Sequence, residues 1–388
     1  MAIKRVAVGQ LRPGMYIHDL RRGYFSHGFI HSHFVLRDEE QIRKIKRQGI
    51  VEVDIDTARG LDVPGPSEPV APGSEPAHHA PRLSHREEAQ AARRILSEAG
   101  AVAQGLLQQV RLGKQVDPSR ARPVVEEVQA SLARNPGALI GLARLKQVDT
   151  YTFQHSVSVC ALLVAFCNGQ GMSAEQAYEA GLGGLLHDAG KMRIPPEILN
   201  KPGPLSPEEF AVMKSHASLG RRLLEDLPGI SEAVLQVAAE HHERLGGAGY
   251  PSGCRGRSIS LLGRMAAIAD VYDAITSDRC YHRGLEPTEA LRKLLEWSGD
   301  HLDGELVERF IRTLGIYPVG SLVRLVSGRL AVVLEQGPEL LKPVVGLLED
   351  SRRGPALPGA ELDLAGGTDG IESYADPLEW GLAPGALL

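Results

Sequence analysis

The chain has little cysteine. Its four, Cys160, Cys167, Cys254 and Cys280, form no Cys-x-x-Cys pair. Cys160 and Cys167 lie seven apart on a predicted helix, about 10 Å along its axis, which is too far for a disulfide. Buried thiols in a reducing compartment are therefore expected. No run approaches the roughly 18 apolar residues that a membrane-spanning helix needs. The start, Met1-Ala2-Ile3-Lys4-Arg5-Val6, lacks the apolar centre of a signal peptide. Neither charge dominates: 43 basic and 48 acidic residues give a net charge of -5. That balance argues against a general binder of nucleic-acid polymers or anionic membranes. A soluble, cytoplasmic protein is the expectation. Apolar residues make up 43% of the 388, ample for a buried core, and the length suggests two or three domains.

Residues 1–60 pattern as a small α+β domain with a regulatory or interaction role. Val6–Leu11 and Tyr16–Asp19 are strand candidates around a Pro13-Gly14 turn, and Asp38–Gln48 predicts a helix with Ile42 and Ile45 inward. Gly49 caps it, and Ile50–Ile55 alternates like a strand. His31 and His33 would share one strand face, which alone makes a poor metal site. Residues 61–83 are rich in Pro, Gly, Ser and Ala and read as a linker in which His78-His79 are idle. Residues 84–138 hold two connecting helices with apolar stripes that suit pairing with each other or with a second copy of the chain.

Residues 139–315 look all-helical. Tyr151–Asn168 carries His155 ahead of Val159, Leu162, Leu163 and Phe166 at helical spacing. Capping boxes at Ser173–Gln176 and Ser206–Glu209 start two further helices, the first running into His187. Helices are also predicted at Ser231–Glu243, Ile259–Ser277, Thr288–Trp297 and Glu305–Leu314. Beyond residue 316 the period changes. Ser321–Leu325, Leu330–Leu334 and Pro343–Leu347 read as strands of a β appendage, and the Gly- and Ala-rich last 35 residues as an irregular tail.

The helical stretch holds His155, His187, His216, His241 and His242, with Asp188 and Asp270 in apolar segments. A lone histidine of this kind is usually a satisfied core residue, and a lone His-Asp pair an ordinary helix end. Buried carboxylates, however, cost several kcal/mol unless paired with cations or strong donors. Five imidazoles and two carboxylates are too many for one tetrahedral ion and suit two ions sharing a bridging carboxylate. Lys191, one turn past Asp188, could hold an anionic substrate beside them.

The order His, His-Asp, His, His-His, Asp is that of the HD superfamily of metal-dependent phosphohydrolases. Three stretches bring the match closer to the HD-GYP family: His241-His242-Glu243-Arg244-Leu245-Gly246-Gly247-Ala248-Gly249-Tyr250-Pro251, Ile198–Leu205, and Ala269–Arg279. Residues 4–60 also resemble a small domain of unknown function that often precedes HD-GYP domains. The resemblance implies a mainly α, helical-bundle phosphodiesterase for the bacterial second messenger cyclic di-GMP, with iron or manganese as metal. It implies hydrolysis of the phosphodiester by a metal-bound hydroxide to pGpG, and on to GMP in some members. It makes His155, His187, Asp188, His216, His241, His242 and Asp270 the metal ligands, with Asp188 bridging. Lys191 and Arg279 would bind phosphate, Asp188 and Lys191 forming the catalytic pair, and Gly249, Tyr250 and Pro251 would shape the substrate loop.

Three departures stand out. The Asp usual in this loop is Gly246; the usual Arg-Pro-Tyr-Arg/Lys is Arg279-Cys280-Tyr281-His282; and the Glu with which some members hold a third metal is Tyr151. Two metals are therefore expected. Gly246 and His282 also favour a rival, a scaffold that keeps metals and cyclic dinucleotide but turns over negligibly, and altered phosphate or base contacts leave open a hydrolase of a hybrid cyclic GMP-AMP. Signalling-protein partners and a homodimer are compatible with the sequence.

Overall fold

A computed structural model describes residues 3–19, 34–47, 52–57, 59–61, 85–112, 117–143, 151–277, 284–337, 339–348, 358–380 and 382. His31, His33, the 62–84 stretch with His78 and His79, and Arg279, Cys280, Tyr281 and His282 lie outside them. The chain divides into two compact units, one of residues 1–78 with 170–172 and one of residues 79–169 with 173–388.

In the first unit β1 (Ile3–Ala7), β2 (Tyr16–Asp19), β3 (Phe34–Val35) and β4 (Glu52–Asp56) form an antiparallel sheet in the order β1-β4-β2-β3. Helix α1 (Glu39–Arg47) turns Ile42 and Ile45 inward, and these residues join Val6, Met15, Ile17, Leu36, Val53 and Ile55 in one core. The first strand begins earlier than its alternation suggests and stops at Ala7, because its partner β4 spans five residues, Glu52–Asp56. Val8–Gln10 then forms a 3-10 turn.

The second unit is mainly helical. Helix α2 (His85–Arg111) packs on α3 (Arg122–Arg134), α4 (Pro136–Ala143) and α5 (Tyr151–Gly169). Helix α5 is the axis of the bundle. Almost all its side chains from His155 to Cys167 are buried, so it reads apolar all round. Helix α6 (Ala174–Leu186) lies along it at close range: a Cβ on Gly184 would come within 2.9 Å of the Cys160 amide nitrogen. The short α7 (Pro196–Leu199), α8 (Pro207–Lys214) and α9 (His216–Glu225) lead to α10 (Glu232–Glu240) and α11 (Leu261–Thr276). Helices α12 (Pro287–Glu296) and α13 (Gly304–Leu314) follow, and Phe310 stacks edge-on against Phe166 and Tyr272. Both expected capping boxes are present, at Ser173/Gln176 and Ser206/Glu209. Among the described residues no helix is long and apolar enough to cross a membrane.

The second unit ends in a five-stranded antiparallel sheet of order β8-β7-β6-β5-β9: β5 (Leu322–Leu325), β6 (Leu330–Glu335), β7 (Val344–Leu348), β8 (Pro358–Asp363) and β9 (Ile371–Tyr374). Strand β6 is apolar from Leu330 to Leu334 because both its faces are buried, Ala331 and Val333 in one core cluster and Val332 and Leu334 in another. Strands β8 and β9 correct the expectation of an irregular tail. They are the two edges of the sheet, and β9 buries no side chain fully, so neither carries the alternation that marks a strand in sequence.

Candidate metal centre

Five segments of the bundle converge on one buried cluster. His155 comes from α5, His187 and Asp188 from the end of α6, His216 from the start of α9, and His241 and His242 from the turn that ends α10. Asp270 comes from the middle of α11. The turn after Asp188 (Ala189–Arg193) presses on α9. A Cβ on Gly190 would sit 1.9 Å from the His216 carbonyl oxygen, so only glycine lets the segment carrying His216 approach Asp188.

Asp188 is 1% exposed and lies in the middle. Its Oδ2 faces His187 Nε2 at 3.4 Å and His155 Nε2 at 3.8 Å. Its Oδ1 faces His216 Nε2 at 3.5 Å and His241 Nε2 at 3.9 Å. Asp270 divides in the same way, with Oδ1 3.1 Å from His155 Nε2 and Oδ2 3.8 Å from His242 Nδ1. The donors fall into two triads, His155-His187-Asp188 and His216-His241-His242, each with its ligand atoms within 4.8 Å of one another.

Four imidazoles are oriented through Nδ1, which leaves Nε2 for the centre. His187 donates to Gly184 O at 2.7 Å, His216 to Met213 O at 2.8 Å, and His241 to Ala238 O at 3.0 Å. His155 donates to the Asp273 carboxylate at 2.6 Å. This outward hydrogen bond is the usual way a metal-binding histidine is fixed in tautomer and angle. Burial pushes His216 below the ordinary histidine range, His241 far below it and His242 to about 3, so these rings are neutral donors. Burial also opposes protonation of His155, but hydrogen bonds to Asp270 and Asp273 outweigh it and raise its pKa. Burial would raise Asp188, yet His187 and Lys191 hold it far below the usual carboxylate range. Asp270 is held down likewise, against burial, by His155 and His242.

A divalent cation fits this donor set. The buried His187 Nε2 and Asp188 Oδ1 have no hydrogen-bond partner within the protein, an arrangement that costs about 1–3 kcal/mol per group unless something else is bound there. The set is nitrogen and oxygen only. Cys160 and Cys167 stay protonated, burial having pushed each to about 12.

Around the cluster, Lys191 Nζ lies 2.6 Å from Asp188 Oδ2 and its side chain is 25% exposed, so it joins the site to the outside. The Tyr250 ring packs 4.7 Å from His242 and 6.2 Å from His216, centroid to centroid. Gly249 is pressed onto the preceding backbone, where a Cβ would lie 2.3 Å from Arg244 N. Pro251 is exposed beside Tyr250. Arg279 lies outside the described residues. Two residues escaped the sequence reading. Asp273 had a signal, since it stands one helical turn after Asp270 and so on the same face of α11. Glu243 belongs to the quoted motif, but nothing local tells what its side chain holds.

A helical bundle that gathers histidines and aspartates from separate helices around a central His-Asp pair defines a metal-binding phosphohydrolase-type centre. The comparisons agree: a family profile described as HD domain matches residues 128–306, and one described as Domain of unknown function (DUF3391) matches residues 3–121. A "Cyclic di-GMP phosphodiesterase" of Pseudomonas aeruginosa is 42% identical over 97% of this chain and 93% of its own length. The "Cyclic di-GMP phosphodiesterase" of Thermotoga maritima is 39% identical over 42% of this chain and 45% of its own. A solved HDG"Y"P protein from Bdellovibrio bacteriovorus, 17% identical, shares the fold with a TM-score of 0.50 over 81% of this chain and 99% of that one. The chain belongs to the HD domain family, preceded by a DUF3391-type domain.

Proposed function

We propose that the chain is a metal-dependent cyclic di-GMP phosphodiesterase. The observation that carries the reading is Asp188, whose two oxygens each face a separate pair of histidines. One ion would be held by His155, His187 and Asp188, with Asp270 beside it. The second would be held by His216, His241 and His242 and by the other oxygen of Asp188. Fe(II) and Mn(II) suit such nitrogen and oxygen donors. When bound, two such ions lower the pKa of a water and offset charge developing on a phosphate.

The chain's own residues do the rest. Lys191, whose ammonium stands at Asp188 and whose side chain is partly exposed, would bind a phosphate oxygen, and Arg279 is proposed as a second phosphate cation. Tyr250, on the loop with Gly249 and Pro251, borders the cluster and would pack on the dinucleotide. Partial burial raises the Tyr250 hydroxyl pKa, so it remains a neutral donor. We assign catalysis to residues 139–315 and regulation or interaction to residues 1–60. A cytoplasmic site of action is part of the proposal, since its substrate would be a bacterial second messenger.

The test is anaerobic purification, loading with Fe(II) or Mn(II), and chromatography of products from cyclic di-GMP, with hybrid cyclic GMP-AMP run beside it. pGpG or GMP from cyclic di-GMP is expected. Binding without product would favour the scaffold, and faster turnover of the hybrid would reassign the substrate.

A further inference from the structure

Glu243 follows the two histidines His241 and His242 and is 2% exposed. Its Oε1 accepts the Ser252 N–H at 2.8 Å and its Oε2 the Cys254 N–H at 3.0 Å. Among the described residues no basic side chain pairs with it. A buried carboxylate that two backbone amides hold is costly to bury and is retained where those bonds fix the chain. What it fixes is the far end of the loop that presents Tyr250. The near end is tied by Tyr250 N–H to His242 O at 3.2 Å, and the loop folds back closely enough that a Cβ on Gly249 would meet Glu243 Cα at 2.5 Å. One tripeptide, His241-His242-Glu243, thus supplies two ring donors to the cluster and holds the loop across it. The loop position usually occupied by Asp is Gly246, whose N–H instead donates to Asp300 O at 2.6 Å.

We propose that Glu243 is a positioning residue: its carboxylate sets the 249–254 loop so that Tyr250 meets the substrate, without itself touching metal or substrate. The inference rests on the phosphodiesterase reading. Glutamine at 243 can accept from one amide but turns its own N–H groups towards the other.

The test compares full-length, metal-loaded wild type with Glu243→Gln and Glu243→Asp. Glu243→Gln should keep the wild-type metal content and a kcat within about twofold, while KM for cyclic di-GMP rises roughly tenfold, the worth of one hydrogen bond to a charged acceptor. Amide exchange at Ser252 and Cys254 should quicken in parallel. Glu243→Asp, which keeps the charge on a shorter stem, should fall between in both readouts and stands in if the glutamine variant does not fold. Unchanged KM in an active enzyme would overturn the proposal, whatever the exchange does. So would loss of metal with unchanged exchange, which would move Glu243 into the metal site. If wild type hydrolyses no cyclic dinucleotide, the phosphodiesterase reading falls. Exchange then still decides whether Glu243 holds the loop, and unchanged exchange overturns the inference.

Discussion

At the scale of single residues, Asp188 differs from the other described acids of the cluster: each of its oxygens faces a pair of histidines, whereas Asp270 Oδ2 faces His242. Asp188→Ala is expected to abolish hydrolysis and to lower metal content, read by elemental analysis; activity near wild type would sink the assignment. Gly190 supports it through space. A methyl group there collides with the His216 carbonyl, so Gly190→Ala should displace His216 and cost roughly a hundredfold in kcat/KM, the usual price of a misplacement near 1 Å. Gly246 behaves differently from what its position in the motif suggests. Restoring the family's Asp is expected from sequence to raise turnover or leave it unchanged. In the fold a Cβ at 246 would stand 3.0 Å from Asp300 O, so the neighbouring backbone must give. Gly246→Asp should therefore not raise kcat, and should lower the melting temperature by about 2–4 °C for each kcal/mol of crowding. An increase in turnover would show that Asp300 yields freely.

At the scale of elements, the two connecting helices pack on the bundle and on each other through a buried charge. Glu88 on α2, 0% exposed, accepts from both Nε and an Nη of Arg134 on α3 at 2.7 Å and from Ser131 Oγ at 2.7 Å. Removing one partner of such a pair leaves an uncompensated carboxylate. Arg134→Ala is expected to cost about 3 kcal/mol in denaturant unfolding, whereas Glu88→Gln combined with Arg134→Met should recover most of that loss. Sequence periodicity located these helices but could not name their partner, since an apolar stripe fits a second chain as well as the same one. The edge strands β8 and β9 were hidden for the opposite reason, because a strand that buries little has no pattern to display.

At the scale of the whole molecule, the first unit has its own core, drawn from Val6 to Ile55. A chain beginning at Ser84 is expected to keep its metals and its hydrolysis; insolubility or metal loss would show that residues 1–60 are structurally part of the catalytic unit. The metal count belongs to this scale too. The donors divide into two triads, so elemental analysis of anaerobically prepared protein should give close to two ions per chain, and Tyr151→Glu should raise it. A clear three in the unmodified protein would mean that another acid completes the site.

The sequence by itself determined the chemistry available. Five histidines and two aspartates in apolar helical segments call for cations if they are buried together, and the resemblance to the HD superfamily points to the same seven residues. The caps at Ser173 and Ser206 were legible because capping is local, a side chain bonding to a backbone three residues away. The tertiary structure alone decided how the donors divide. Which histidines face which oxygen of Asp188 depends on how α5, α6, α9, α10 and α11 cross. That crossing is set by glycines whose meaning lies in what they touch. The same holds for Asp273 and Glu243: His155 lies 118 positions before Asp273, and the Ser252 and Cys254 amides lie across a folded loop from Glu243. The helical spacing puts Asp273 on the face of Asp270, but which partner each of these carboxylates holds is settled by packing.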